Sequence, residues 1–331
     1  MEPYRGLRAA CGFGLFRIPP RQNIVTMKIY FAPLQGYTEG IYRKAHHLVY
    51  GGIERYYTPF LRMEKGEPRR QDMGRLLSDT NGGVPVSPQV IFNDREELES
   101  LVGTAYSYGY RSIDLNMGCP FPPQMKFGRG SALLERPDVL REILPVFGEF
   151  DGMEYTLKMR LGVNDTTAWR GVIDILNRMP LRHITVHPRS AKQQYKGELD
   201  MAQFEELLKA SAHPVIYNGE LRTADDIHAI TERIPGIAGV MIGRGLLARP
   251  SLAAEYAEGE EWDYRKRREH LMRMHEMVYR HNVEKLCGET QTLSHLTPFW
   301  DYLEDEIGRK AWKRIRKATT LQKYREAIAL I

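Results

Sequence analysis

The sequence predicts a TIM (β/α)8 barrel followed by a small C-terminal helical bundle domain. Two observations carry this prediction. Between Lys28 and Ile242, eight short β-rich segments alternate with segments of helical period. Such alternation over about 220 residues is typical of a parallel barrel. After the run Glu258-Gly259-Glu260-Glu261 no further strand is evident, and the pattern becomes helical to the end of the chain.

The predicted strands are short runs rich in β-branched, aliphatic and aromatic residues. They are Lys28–Phe31, Ile53–Tyr57, Val86–Ile91, Ser112–Leu115, Tyr155–Met159, His183–Val186, Val215–Tyr217 and Gly239–Ile242. Helical period is clearest in the intervening segments Arg95–Tyr108, Ala168–Arg178, Met201–Ala210 and Ala224–Arg233. A doubly wound open sheet is the alternative, but it normally has a G-x-G-x-x-G loop after its first strand, and this chain has Ala32-Pro33-Leu34-Gln35-Gly36 there.

The chain divides into three predicted regions. Residues 1–26 hold four arginines, one acid and no apolar segment, a composition compatible with a transit-like peptide. We expect them instead to be an extension, or an upstream start, ahead of a natural beginning at Met27. Residues 27–258 form the barrel and residues 259–331 the helical domain. The helices predicted in this last domain are Tyr264–Leu286, Thr290–Glu306, Arg309–Lys317 and Leu321–Leu330.

Composition indicates a cytoplasmic protein. The three cysteines among 331 residues are widely spaced, which favours neither a disulfide framework nor a zinc site and indicates a reducing compartment. No apolar run is long enough to span a membrane, and no His, Asp and Glu set recurs at metal-ligand spacing. We therefore expect a monomer that binds no membrane and no metal.

Positive charge is concentrated in the helical domain. The segment from Arg309 to Arg325 contains eight basic residues and no acid, and Arg265-Lys266-Arg267-Arg268 adds a second cluster. A run of this kind is as often a solvated face as a binding surface. The nearby Trp312 and Tyr324 favour a nucleic-acid phosphate backbone, where lysine and arginine displace counterions.

The run from Ile113 to Pro120, IDLNMGCP, is the most informative stretch of the chain. It indicates a buried strand that ends in a glycine-containing loop presenting Cys119. Reactive groups in barrels lie at such strand ends. The residues alone leave three roles open for this cysteine: proton donor, nucleophile or buried filler.

Polar residues follow the other predicted strands at the same end. Each has an ordinary structural interpretation when taken alone, such as a core histidine, a surface lysine or a turn. Together they would surround a planar, anionic, hydrogen-bonding cofactor, and flavin mononucleotide (FMN) fits that description. These residues are Gln89, Lys158, Arg160, His187, Asn218, Gly219, Glu220, Gly243 and Arg244.

Six segments, in order, resemble the tRNA-dihydrouridine synthases. The first segment is APL at residues 32–34, and the second is LNMGCP at 115–120 followed by GSALL at 130–134. The others are KMRLG at 158–162, VHPR at 186–189, NGE at 218–220 and MIGRG at 241–245. The resemblance extends from about Lys28 to about Arg249 and continues more weakly through the basic helices.

The resemblance implies an enzyme in which NADPH or NADH reduces FMN and a uridine of tRNA is reduced to 5,6-dihydrouridine. It assigns Cys119 as the acid that protonates C5 of the uracil, Asn116 as the residue that holds the base, and Arg160 as a contact to flavin or substrate. The positions that match flavin contacts are Pro33, Leu34, Gln35, Gln89, Lys158, His187, Asn218, Gly219, Glu220, Gly243 and Arg244.

Two other functions are compatible with parts of the pattern. A flavin barrel acting on a free pyrimidine or dihydropyrimidine would share the cofactor residues but would have no need of the basic C-terminal domain. An RNA-binding protein on an inactive barrel would lack the cysteine, lysine or Gly-Arg features, all of which are present.

The chain departs from the family in the loop after Cys119, where Phe121-Pro122-Pro123 stands in place of polar or basic residues.

Overall fold

The computed structural model describes residues 27–331, so the predicted N-terminal extension, residues 1–26, lies outside the described residues. Eight parallel strands form a closed barrel, as predicted. They are β1 (Ile29–Phe31), β2 (Arg55–Tyr57), β3 (Val86–Ser87 and Gln89–Val90), β4 (Ser112–Met117), β5 (Glu154–Gly162), β6 (Leu181–Ser190), β7 (Val215–Tyr217) and β8 (Gly239–Ile242).

The barrel closes through β3, which Pro88 divides into two segments. The first segment pairs with β2, with Val86 opposite Tyr56, and the second pairs with β4, with Gln89 opposite Asp114. Pro88 has no N–H to donate, but its carbonyl accepts a hydrogen bond from Asp114 N at 2.8 Å. Pairing is therefore continuous around the barrel.

Strands β5 and β6 are longer than the sequence predicted. β5 continues to Gly162 and β6 to Ser190, so that Arg160 and His187 lie within paired strands, opposite each other. Strand pairing fixes the backbone of both residues. Their side chains therefore have defined positions at the carboxyl end of the barrel.

The helices lie between and after the strands. Their bounds are Gly40–Val49, Arg70–Met73, Ser78–Asn81, Arg95–Ser107, Pro122–Lys126, Pro137–Glu142, Ile173–Leu176, Met201–Ala210, Ala224–Arg233, Arg244–Ala248, Leu252–Glu258, Tyr264–Lys285, Glu289–Leu296, Glu304–Ile307, Arg309–Arg316 and Leu321–Ile328. A two-stranded hairpin, Met63–Glu64 with Glu67–Pro68, follows β2.

Two predicted helices are wrong in extent. The segment Ala168–Arg178 is a 3-10 turn followed by Ile173–Leu176, and the break falls at glycine and a β-branched valine, which are poor helix formers. The segment Thr290–Glu306 is not one helix: the first α-helix ends at Leu296, because Pro298 cannot donate the next backbone hydrogen bond, and a 3-10 turn at Thr297–Trp300 and the short helix Glu304–Ile307 follow.

The C-terminal helices pack on the barrel around a shared apolar cluster. The long helix Tyr264–Lys285 lies against Gly40–Val49, and the rings of Tyr42 and Phe299 have centroids 5.8 Å apart. The division into domains at residue 258 stays a prediction. Among the described residues, no helix combines the length and apolar character needed to cross a membrane.

Candidate active site

A cleft opens at the carboxyl ends of the barrel strands. Every residue that the sequence assigned to the site lines this cleft except Glu220. The lining also includes residues that sequence reasoning did not select, namely Ala32, Pro59, Phe60, Gly118, Pro120 and Tyr195. The predicted residues therefore share one cleft, and they belong to seven different strands or the loops after them.

The loop after β4 presents Cys119 in one fixed position. The Asn116 Oδ1 atom accepts hydrogen bonds from the backbone N–H groups of Gly118 at 3.1 Å and Cys119 at 2.9 Å. Gly130 approaches so closely that a Cβ there would lie 2.8 Å from the Cys119 carbonyl oxygen, and its φ of 63° favours glycine. These contacts hold the half-buried thiol at the wall of the cleft.

The chemical state of Cys119 suits a proton donor. Burial raises the pKa of the thiol above its ordinary value of 9.0, although the Phe121 N–H and the positive charges of Arg160 and Lys158 act in the opposite direction. The thiol therefore retains its proton at neutral pH. A nucleophile would need the thiolate form, which these surroundings disfavour.

A chain of hydrogen bonds connects the barrel interior with the cysteine loop. Buried Asp114 accepts from Gln89 Nε2 at 2.6 Å, and Gln89 Oε1 accepts from Asn116 Nδ2 at 2.7 Å. Thr156 Oγ1 donates to the other Asp114 oxygen at 2.5 Å. A carboxylate only accepts hydrogen bonds, so the Gln89 amide must turn its N–H toward Asp114 and its oxygen toward Asn116. Asn116 then donates its N–H to Gln89 and turns its own oxygen toward the cysteine loop. Sequence reasoning missed Asp114, whose only signal is its place two residues before Asn116 on the same face of β4.

The ammonium group of Lys158 lies in the cleft without a protein partner. Among residues 27–331, no acceptor makes a hydrogen bond or an ion pair with Lys158 Nζ. Burial, together with the neighbouring Arg160, lowers the pKa of Lys158 from 10.5 to about 8, so the group is charged at neutral pH. A buried cation without a partner is costly, and this arrangement suits a ligand that supplies an anion or hydrogen-bond acceptors.

His187 faces the same cleft in its neutral form. Burial is the main reason that its pKa falls to about 2, and the charges of Arg160, Lys158 and Arg189 add to the effect. A neutral imidazole can donate one hydrogen bond and accept another, which suits the edge of a heterocycle. The donors of Lys158, the amides of β3 and β4, and this imidazole together fit a flavin.

Arg160 holds the loops around the site. Its guanidinium donates to backbone oxygens of Gly118 at 3.1 Å, Ser190 at 3.1 Å and Gln194 at 2.7 Å. The Arg160 side chain therefore uses its donors on the loop that presents the cysteine, on the last residue of β6 and on the loop after β6. Its predicted contact to flavin or substrate stays a prediction.

Glu220 lies behind the cleft and pairs with two arginines. Its Oε1 is 3.0 Å from Arg189 Nη2 and 3.5 Å from Arg244 Nη2. Arg244 in turn lies over the ring of Tyr195, with 4.7 Å between the guanidinium carbon and the ring centroid. Tyr195 is half exposed at the rim, in the loop after β6, and no motif of the sequence points to it. Glu220 therefore positions the rim, and its predicted flavin contact stays a prediction.

The basic residues predicted near the C-terminus are exposed in the structure. Among residues 27–331, no carboxylate forms an ion pair with Lys310, Lys313 or Arg314. The expected role of Tyr324 beside them is wrong, since its ring is fully buried and its hydroxyl accepts from Trp300 Nε1 at 2.7 Å. We call Lys310, Lys313, Arg314 and Lys317 the basic surface.

No group of metal-binding side chains is found among residues 27–331.

Comparisons with known proteins agree on one family. Residues 30–329 match the family model described as dihydrouridine synthase. The tRNA-dihydrouridine(16) synthase of Pseudomonas syringae pv. tomato is 31% identical over 252 residues, which are 71% of this chain and 77% of the relative. The tRNA-dihydrouridine synthase B of Pasteurella multocida is 26% identical over 230 residues, 68% of this chain and 67% of the relative.

A solved structure supports the fold alone. A morphinone reductase mutant in complex with tetrahydroNAD superposes with a TM-score of 0.50 at 10% sequence identity. The match covers 72% of this chain and 90% of that chain. It supports the barrel architecture derived from strand pairing.

Proposed function

The chain belongs to the dihydrouridine synthase family, and from this premise we propose that it reduces a uridine of tRNA to 5,6-dihydrouridine with FMN and NADPH or NADH. One observation carries the proposal. A cysteine that stays protonated lies in the same cleft as an unpartnered, charged lysine and two fixed amides. The cleft thus combines a proton donor with a cofactor cradle.

The cradle would hold the flavin by three kinds of contact. Lys158, Gln89 and His187 offer hydrogen bonds to the polar edge of the ring system. The turn Pro33-Leu34-Gln35 and the Asn218-Gly219 pair offer backbone and apolar surface to a flat ligand. Gly243 and Arg244, after β8, offer amides and a guanidinium to the phosphate, where barrels commonly bind one.

Bound FMN would supply the hydride for C6 of the uracil. The protein would supply the proton: Cys119 donates from Sγ to C5 and is left as a thiolate, which Arg160 and Lys158 stabilise electrostatically. Asn116 has one N–H of Nδ2 free of the hydrogen bond to Gln89, and this group would bind a uracil oxygen. The uridine must leave its stack to enter the cleft.

The basic surface supplies the affinity for the rest of the RNA. Exposed Lys and Arg side chains without carboxylate partners neutralise phosphates and release counterions, so binding should weaken as salt rises. A free pyrimidine would show no such dependence on these residues.

The test is a reaction with purified holoenzyme, NADPH and tRNA transcribed without modifications. We expect dihydrouridine in the tRNA and no product from free uracil or uridine, and position 16 is examined first because the Pseudomonas syringae relative carries that number in its name. Reduction of free uracil with no change in tRNA would replace the proposal with the free-pyrimidine alternative.

A further inference from the structure

The loop after Cys119 presents an aromatic ring to solvent beside the cleft. Phe121 is 55% exposed, and it directly follows Pro120, which lines the cleft. Its backbone N–H lies close enough to the Cys119 sulfur to act on the pKa of that thiol. The ring is therefore anchored one residue away from the cleft wall and next to the group that we assign as the acid.

The backbone that carries this ring is stiff. Pro122 and Pro123 open the short helix Pro122–Lys126, and their rings fix φ at both positions. The Phe121 carbonyl accepts hydrogen bonds from Gln124 N at 2.9 Å and from Met125 N at 3.1 Å. Gln124 is the buried residue of this helix. An apolar ring held in place at an exposed position is prepared to bind a partner at little conformational cost.

The chemistry of the surroundings identifies the partner. A target uridine that enters the cleft leaves its neighbours without a stacking surface, and single-stranded RNA bases commonly stack on exposed aromatic side chains. Lys126 is exposed at the end of the same helix, where it can meet the adjoining phosphates. Polar or basic loop residues could hydrogen-bond phosphates or base edges, whereas a phenyl ring has no hydrogen-bonding group and can contact RNA only through a base or sugar face.

We propose that Phe121 stacks on a nucleobase adjacent to the target uridine and so helps to select and hold the unstacked RNA segment. This inference rests on the proposed function. Stacking of one base is worth roughly a 5- to 150-fold change in binding. The occupant is an RNA base, and a contact with another protein or with a second copy of this chain is the result that would replace it.

The experiment compares Phe121→Ala, Phe121→Trp and Tyr108→Ala holoenzymes. Tyr108 is the matched control because its ring is 46% exposed but precedes β4, at the opposite end of the barrel. Four quantities are measured: kcat/KM for tRNA, the rate of flavin reduction by NADPH without tRNA, the rate at which iodoacetamide alkylates Cys119, and the oligomeric state by size-exclusion chromatography.

We expect Phe121→Ala to lower kcat/KM for tRNA by about 5- to 150-fold, mainly through KM, and Phe121→Trp to keep it within about threefold. Tyr108→Ala should match the wild type. Flavin reduction and alkylation should be unchanged in all three variants, which excludes a displaced cysteine loop. An unchanged kcat/KM in Phe121→Ala would overturn the proposal while the active wild type upholds the proposed function. Loss of a dimer with unchanged tRNA kinetics would assign the ring to a protein contact instead, and a wild type that reduces no tRNA would remove both proposals.

Discussion

Replacing Lys158 by methionine should stabilise the protein without its cofactor and weaken its affinity for FMN. Methionine fills a similar volume but carries no charge. In the cofactor-free protein the ammonium has no acceptor among residues 27–331, so its burial is a cost. In the complex the same ammonium would donate a hydrogen bond to the polar edge of the flavin, so its loss should lower the affinity for FMN.

The magnitude follows from the pKa of the lysine. A fall from 10.5 to about 8 corresponds to about 3 kcal/mol, at 1.36 kcal/mol for each pH unit, as the cost of keeping the charge in the folded protein. Because the ammonium faces an open cleft, water reduces this cost, and we expect Lys158→Met to raise the free energy of unfolding by about 1–3 kcal/mol. Loss of a hydrogen bond to a charged group costs about 1.5–3 kcal/mol, so affinity for FMN should fall by roughly 10- to 150-fold.

The pH dependence has a defined sign. Between pH 8 and 10.5 the unfolded chain keeps a proton on Lys158 that the folded protein has lost, so the free energy of unfolding of the cofactor-free wild type gains a contribution that rises with pH across this window. FMN affinity should fall above pH 8 as the ammonium is lost. Both trends should be absent in Lys158→Met.

The assays are urea unfolding of the cofactor-free protein and fluorescence titration with FMN, each at pH 7 and pH 9.5. Lys209→Met is the matched control, because Lys209 is exposed on the helix Met201–Ala210, and it should change neither quantity. A Lys158→Met protein that is less stable than wild type, or that binds FMN equally well, would contradict an unpartnered ammonium that binds the flavin.

Three further predictions concern the acid, its support and the RNA. Cys119→Ala should keep FMN and its reduction by NADPH but lose at least 100-fold in uridine reduction, as expected for removal of a general acid and measured by single-turnover flavin oxidation with tRNA. Asp114→Leu should leave a buried amide N–H unpaired, lower the free energy of unfolding by about 1–3 kcal/mol and alter the alkylation rate of the active-site cysteine, whereas Thr156→Val should leave that rate unchanged. Replacing Lys313 and Arg314 by glutamate should weaken tRNA binding at least tenfold and flatten its salt dependence without changing FMN affinity, as judged by filter binding at several salt concentrations.

The sequence was sufficient for the architecture because the strands are short β-rich runs with helical segments between them. The predicted Val215–Tyr217 and Gly239–Ile242 agree with the structure at both ends. β5 and β6 were predicted too short, since Arg160 and His187 are polar and would end a strand by composition alone. They continue because barrel pairing satisfies their backbone and because the cleft receives their side chains.

The residues that line the cleft were predictable in position, but the hydrogen bonds between them were less so. A strand-end rule brings Cys119 and Lys158 to one cleft, yet it contains no information on which donor meets which acceptor. Asp114 was missed because a single carboxylate in a buried strand gives no pattern, and the pairing of Glu220 with two arginines was not predicted either. Tyr324 was counted with the basic cluster because helical period alone does not say which face of the helix is covered.

The most direct measurement maps dihydrouridine in tRNA from a strain that makes none, after expression of this chain or of its Cys119→Ala variant. We expect dihydrouridine at one or a few defined positions with the wild-type chain and none with the variant. A tRNA without dihydrouridine in the presence of soluble, FMN-loaded wild-type protein would contradict it. An equal amount of dihydrouridine with Cys119→Ala would keep the activity and remove the cysteine as its acid.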